Sequence, residues 1–377
     1  MDKYEGFFRV VCFILVSGLG GFLLSLTGLP IGWMIGTLLI ATSLSIFRPK
    51  FLQLTPKQNG IPKYWLYIGQ CILGIELGQK VNSSILSIFQ ENWLSITIML
   101  LLSIIFSLFS GILLWKFSNL DMLTSFFATA PGGLSAIPGI SEEVGANTGV
   151  VSIIQAMRVF LVILTMPVII SIFYGKAGGI ENSLVTAGLT RLDIGQIPVT
   201  ILFVFIALIG YYIGKFLKFP APWLIGSMVG IAAIKFSSIG LIGDDLVAWW
   251  PHSLIIVSQI FIGASIGSRF HKHMFIGLYR TLLVSFSCTL GLITFVFVFA
   301  YVISVITDIT FLTASLAFAP GGIAEMTTTA LVLKGDATFV AAVQVLRIVT
   351  VCITLPPFFR FLTYLESRKK SYRPFSA

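Results

Sequence analysis

Long apolar runs alternate with short polar stretches along almost the whole chain. The runs fall near 7–26, 30–47, 61–79, 93–115 and 148–173, and again near 197–214, 222–240, 252–268, 281–306 and 338–359. Neither Trp93 to Trp115 nor Thr281 to Ile306 contains a charged residue. Runs of that length span the roughly 30 Å hydrocarbon core of a bilayer as helices. The pattern predicts an all-α polytopic membrane protein. Lys3 and Arg9 precede the first run, which reads as a first helix rather than a cleaved signal because no small-residue cleavage site follows.

The pattern also repeats. Ala130-Pro131-Gly132-Gly133-Leu134 returns as Ala319-Pro320-Gly321-Gly322-Ile323, 189 positions later. The same offset relates Gln70 to Gln259, Gly74 to Gly263, Gly78 to Gly267, Gln155 to Gln344, Arg158 to Arg347 and Pro167 to Pro356. An offset of 190 relates Pro30-x-x-Trp33-x-Ile35-Gly36 to Pro220-x-x-Trp223-x-Ile225-Gly226. Such self-similarity marks a tandem duplication.

Composition agrees with the membrane reading: 56% of residues are hydrophobic, 10% are charged and the mean hydropathy is +0.99. Soluble domains carry about 25% charged residues. The formal charge of +9 then reports orientation rather than nucleic acid, because Lys and Arg collect in cytoplasmic loops. With five crossings per half and the N-terminus inside, 17 of the 24 basic residues fall inside. With six crossings, Lys215, Lys218 and the cluster from Arg269 to Arg280 would move outside, against that rule. The expected architecture is two inverted repeats of about five transmembrane helices, each with one broken or re-entrant Pro-Gly-Gly helix. The expected divisions are a first repeat over 1–175, an extracellular linker over 176–196, a second repeat over 197–366 and a basic cytoplasmic tail over 367–377. The expected location is the plasma membrane, with both termini cytoplasmic.

The Pro-Gly-Gly stretches sit at predicted membrane depth. Proline disfavours helix at the residue before it and glycine frees the backbone, so a helix should stop near Ala130 and a new one can start at Pro131. Irregular backbone at that depth requires burial in protein or a wet cavity. Pro131, Gly132, Gly133, Pro320, Gly321 and Gly322 are therefore candidate substrate-binding positions, with kinking or close packing as the plainer alternative.

Arg158 and Arg347 each follow a glutamine, Gln155 or Gln344, by three residues, so each pair shares a helix face. Intramembrane arginines are costly unless paired or hydrated. They read either as ligands for an anion or as partners for the carbonyls left by a broken helix. Glu325 stands after the second break where the first copy has Ala136, with Thr328 and Thr329 one turn on. These three are candidates for a coupling ion or proton, and pairing of Glu325 with Arg347 is the structural alternative. The glycines of the Gly74/Gly78 and Gly263/Gly267 pairs have the spacing of close helix packing. His271 and His273, in a basic loop, read as a solvated face. Cys12, Cys71, Cys288 and Cys352 lie in apolar runs without metal-ligand spacing. No HExxH, CxxC or P-loop occurs. No enzyme activity and no cofactor are expected.

The duplicated unit of Ala-Pro-Gly-Gly-(Leu/Ile) followed by a Gln-x-x-Arg helix resembles the membrane AbrB family over nearly the whole chain. The most specific stretch is Ala319-Pro-Gly-Gly-Ile-Ala-Glu-Met326. The first copy departs from it with Ser135-Ala136-Ile137. Members of that family are labelled regulators of gene expression or ammonia monooxygenases. A monooxygenase needs a redox metal or cofactor, and a transcription factor needs a cytosolic DNA-binding domain. Neither is legible here. The expected function is secondary transport of a small, anionic solute, with a membrane sensor or regulator as the alternative. The expected partners are the lipid bilayer, a small-molecule solute and a second copy in a homodimer, with no nucleic acid.

Overall fold

Each of the ten apolar runs becomes a helix, and among the described residues three short helices are added near the Pro-Gly-Gly stretches. A computed structural model describes residues 3–29, 31–47, 60–81, 84–131, 141, 145–174, 196–242, 248–272 and 277–371. Gly132, Gly133, Ala136, His273, most of the 176–196 linker and the chain beyond Ser371 lie outside the described residues.

The first half holds α1 (Lys3–Ser25), α2 (Gly32–Phe47), α3 (Lys63–Lys80), α4 (Ser84–Phe117), α5 (Met122–Thr129) and α6 (Thr148–Tyr174). The second holds α7 (Ile197–Phe216), α8 (Pro222–Ile242), α9 (His252–Gly267), α10 (Tyr279–Ile306), α11 (Phe311–Phe318), α12 (Ile323–Val332) and α13 (Ala337–Ser371). No strand occurs among the described residues. Among those residues, α1, α4, α6, α7 and α10 contain spans long and apolar enough to cross a membrane. Leu15, Leu19, Val298, Val302 and Val305 leave large apolar side chains exposed on such helices. A bilayer accepts such a surface and water does not.

The helices sort into two bodies, each drawn from both halves. Six helices (α1, α2, α3, α7, α8 and α9) pack mainly on one another, and the remaining seven do the same. Glycine makes the first body compact. A Cβ at Gly20 would stand 2.9 Å from the Gly36 carbonyl oxygen, and one at Gly36 would meet the Gly20 oxygen. Gly210 and Gly226, each 190 positions on, repeat that mutual contact between α7 and α8. A Cβ at Gly74 would lie 2.6 Å from the Leu224 oxygen on α8, and one at Gly263 would lie 2.8 Å from the Met34 oxygen on α2. Thus α3 packs on α8 as α9 packs on α2. The small-residue spacing is a packing device, as expected.

The halves also touch through equivalent residues. Ser258 donates to the Gly69 carbonyl at 2.8 Å, and these positions differ by 189. Phe106 and Phe295, also 189 apart, stack with ring centroids 4.5 Å apart. Along α4 and α10 the pairing runs Phe106 with Phe295, Ser110 with Cys288, and Phe117 with Arg280. One number rises as the other falls, so the two equivalent helices are antiparallel. Reciprocal contacts of this kind are the mark of two-fold related surfaces.

Gly36→Val and Gly226→Val should each destabilise the protein by about 1–3 kcal/mol through overpacking. Thermal unfolding in detergent measures this, and an unchanged unfolding temperature in both variants would contradict the packing described.

Candidate functional site

Two matched short helices run into the second body and stop there. Asp121 caps α5 by accepting from the Thr124 amide at 2.8 Å, and Thr310 caps α11 by accepting from the Thr313 amide at 3.3 Å. The helices end at Thr129 and Phe318, one residue short of Ala130 and Ala319. Pro131 and Pro320 follow and stop further helix.

The chain then turns back. The Asp336 amide donates to Thr313 at 3.2 Å, so residue 336 has returned beside the start of α11. The Asn147 amide donates to Thr124 at 3.0 Å in the first half. Asn147 and Asp336 next cap α6 and α13 through the Val150 and Phe339 amides, at 3.2 and 2.9 Å. In the second half the result is a hairpin of α11 and α12 with Ala319–Gly322 at its tip. The new helix starts at Ile323 with Gly322 as its N-cap, not at the proline. The segment after Pro131, where the first-copy restart was expected, lies outside the described residues. Gly321 and Gly322 extend the tip, and a Cβ on either would meet the Met326 or Glu325 side chain.

Each tip exposes carbonyls with no helical partner. The Gln-x-x-Arg pairs take them. Gln155 donates to the Phe127 oxygen at 3.0 Å, and Arg158 donates to the Thr129 oxygen at 2.8 Å and to the Ala130 oxygen at 3.3 Å. Gln344 donates to the Leu316 oxygen at 3.0 Å and to the Ala319 oxygen at 3.1 Å. Arg347 donates to the Ala319 oxygen and, at 2.9 Å, to the Gly321 oxygen. All four side chains are buried. Of the two readings of these arginines, the structure displays carbonyl capping, and the guanidinium Nε atoms of both remain without a partner.

Glu325 lies buried in the first turn of α12, its carboxylate folded toward Gly322 at the positive end of the helix. The opposing charge that acts on it is Arg269, in the turn after α9, and Arg347 donates to carbonyls instead. Burial pulls the Arg269 guanidinium below its ordinary value, and Glu325 acts against that pull. Thr328 and Thr329 are buried, with hydroxyls donating back to the Ala324 and Glu325 carbonyls at 2.6 and 2.8 Å. His271 is also buried, its Nδ1 2.8 Å from the Arg269 carbonyl. The expectation of a solvated face fails there, because the turn packs against residues from other elements: Phe270 meets Phe160 on α6, and Ser268 accepts from the Ile61 amide.

One feature was not anticipated. Beside the first tip, α4, α5, α6 and α10 line a narrow, half-open crevice with room for about one water molecule. Ser107, Ser110, Thr129, Arg158, Ser285 and Thr289 supply its polar lining. The signal in the sequence is the i, i+3 and i, i+4 spacing of hydroxyls on otherwise apolar helices. Only the pairing of α4 with α10 brings the two sets together.

The fold and site together define an all-helical protein of membrane character, built around two matched tips. The chain belongs to the AbrB family: the family described as "Transition state regulatory protein AbrB" matches residues 33–363. It is 47% identical to "Uncharacterized protein YhjN" of Bacillus subtilis (strain 168), over 98% of this chain and 97% of that protein. It is 25% identical to "Putative regulator AbrB" of Escherichia coli (strain K12), over 86% of this chain and 94% of that protein.

Gln344→Leu should cost about 1–3 kcal/mol by orphaning buried carbonyls. Arg347→Lys should not restore the Arg347→Ala loss, because an ammonium lacks the planar fork that reaches both the Ala319 and Gly321 oxygens. Chemical denaturation in detergent reads both effects. Wild-type stability of Gln344→Leu, or full rescue by lysine, would contradict the capping role.

Proposed function

We propose that the chain is a secondary transporter of a small, anionic solute in the plasma membrane. The observation that carries this reading is the pair of equivalent tips, each buried and each held by a Gln-x-x-Arg face, with their carrier helices related by an antiparallel two-fold. An axis perpendicular to membrane-crossing helices lies in the membrane plane, which corresponds to inverted repeats of five crossings with one re-entrant hairpin each. Inverted repeats that meet at irregular backbone are the arrangement from which alternating access is built. The repeats span 1–175 and 197–366, joined by an extracellular linker at 176–196. The tail over 367–377 and both termini are cytoplasmic.

The division into two bodies supports the same reading. The glycine-packed body of α1, α2, α3, α7, α8 and α9 acts as a frame. The second body carries both tips and moves against it, opening the site to one side and then the other. Pro131, Gly132, Gly133, Pro320, Gly321 and Gly322 form the solute region with the four Gln and Arg side chains. Two arginines without a carboxylate ion pair among the described residues favour an anion there. Glu325, with Thr328 and Thr329, serves the coupling ion or proton.

A second reading is a membrane sensor that influences gene expression without transport. The regulatory names of the family and of the Escherichia coli relative favour it. No enzymatic step is part of either reading.

Uptake of radiolabelled small carboxylates by purified protein in liposomes separates the two. The transporter reading predicts concentrative uptake that Glu325→Gln abolishes, and it fails if ligand-induced stabilisation occurs without any uptake. Orientation has its own test in a cysteine-free background. A membrane-impermeant thiol reagent added outside cells should label Asp308→Cys and spare Lys215→Cys. Labelling of position 215 alone would reverse the orientation.

A further inference from the structure

The duplication is broken at the solute region itself. Ser107, Ser285, Cys288 and Thr289 line the crevice beside the first tip. Their equivalents, 189 positions away, are Val296, Ile96, Met99 and Leu100. Those four are buried in the main hydrophobic cluster, at 1%, 1%, 2% and 3% exposure. The first tip therefore stands beside a crevice into which hydroxyls and Arg158 project, while the matching place in the other half is filled with apolar side chains. The first lining contains no carboxylate.

We infer that the chain has an anion subsite in the crevice between α4, α5, α6 and α10, and that it takes a small carboxylate. This deepens the transporter reading and rests on its placement of the solute at the tips. Three properties of the lining support it. Arg158 brings a positive charge that the Thr129 and Ala130 carbonyls solvate but do not neutralise. Its Nε–H is buried and without a partner. The hydroxyls of Ser110, Thr129 and Thr289 donate to carbonyls of their own helices, at 3.0, 3.1 and 2.8 Å, and rotation redirects each toward an acceptor. A carboxylate offers acceptors and the compensating charge at once. Arg347 has the same unpartnered Nε, but apolar packing stands where its crevice would be. The second tip carries Glu325 instead, so anion and coupling ion are divided between the halves.

The test uses the full chain, purified in phospholipid-free detergent, with sodium acetate as the probe and sodium chloride at equal ionic strength as the baseline. Acetate should raise the unfolding temperature of the unsubstituted protein. The S285I/T289L variant places in α10 the residues that occupy the equivalent positions of α4. It should weaken acetate binding by at least about tenfold. The reciprocal I96S/L100T variant should keep the response. Should S285I/T289L fail to fold, Thr289→Val supplies the measurement with little change in volume and should also weaken binding. An unchanged acetate response in S285I/T289L or Thr289→Val overturns the inference, as does its loss in I96S/L100T alone. A stabilisation that appears only when phosphatidylglycerol is added overturns it too, since a lipid headgroup would then be the occupant. Acetate binding without uptake in liposomes removes the transporter reading and leaves the subsite standing. Uptake that survives in S285I/T289L does the reverse.

Discussion

Backbone that leaves a helix inside an apolar bundle has no water to bond with, and the rest of this structure depends on how that demand is met. At each tip a short helix ends among buried side chains, with carbonyls pointing at no helical donor. An unmade buried hydrogen bond costs about 1–3 kcal/mol. Gln155 with Arg158, and Gln344 with Arg347, meet the demand from one helix face each. The spacing of three residues lets amide and guanidinium reach successive carbonyls of the same tip. The arginines are thereby held in place and partly solvated, although the tips supply only dipoles and no opposite charge.

From this follows the arrangement around the tips. Asp121 and Thr310 start the inward helices, and Asn147 and Asp336 receive the chain as it comes back. The same caps recur at the same offset, so both tips are framed by matching helix starts. The antiparallel pairing of α4 with α10 sets them on opposite sides of one local axis. Glycine contacts in the other body allow six helices to pack closely without large side chains between them. The copies diverge at the tips: hydroxyls line the crevice beside the first, and a carboxylate stands beside the second.

Much of this was legible from sequence. Hydropathy located the ten long helices, and the repeat offset located both tips and their Gln-x-x-Arg partners. The Gly74/Gly78 and Gly263/Gly267 spacing pointed to close packing, and the structure supplies the partners. Other features needed three dimensions. The restart at Ile323 depends on how two glycines extend the tip. The burial of His271 depends on a turn packed against Phe160 and Ile61, both remote in sequence. The crevice exists because Ser107 and Ser110 face Ser285 and Thr289 across a contact between segments remote in sequence. The pairing of Asp121 with Thr310 and Asn147 with Asp336 was there to be read, and it would have announced a returning chain.

The two-fold relation of the halves is the central claim, and α4 with α10 tests it most directly. A chain retaining Cys288 but lacking the other native cysteines, with Ser110→Cys added, places two thiols at the observed contact. Oxidation in native membranes should give an intrachain disulfide between positions 110 and 288, seen as a linked peptide by mass spectrometry. A parallel arrangement would instead bring position 110 to Phe299. Crosslinking of Ser110→Cys to Phe299→Cys, with none to Cys288, would contradict the account.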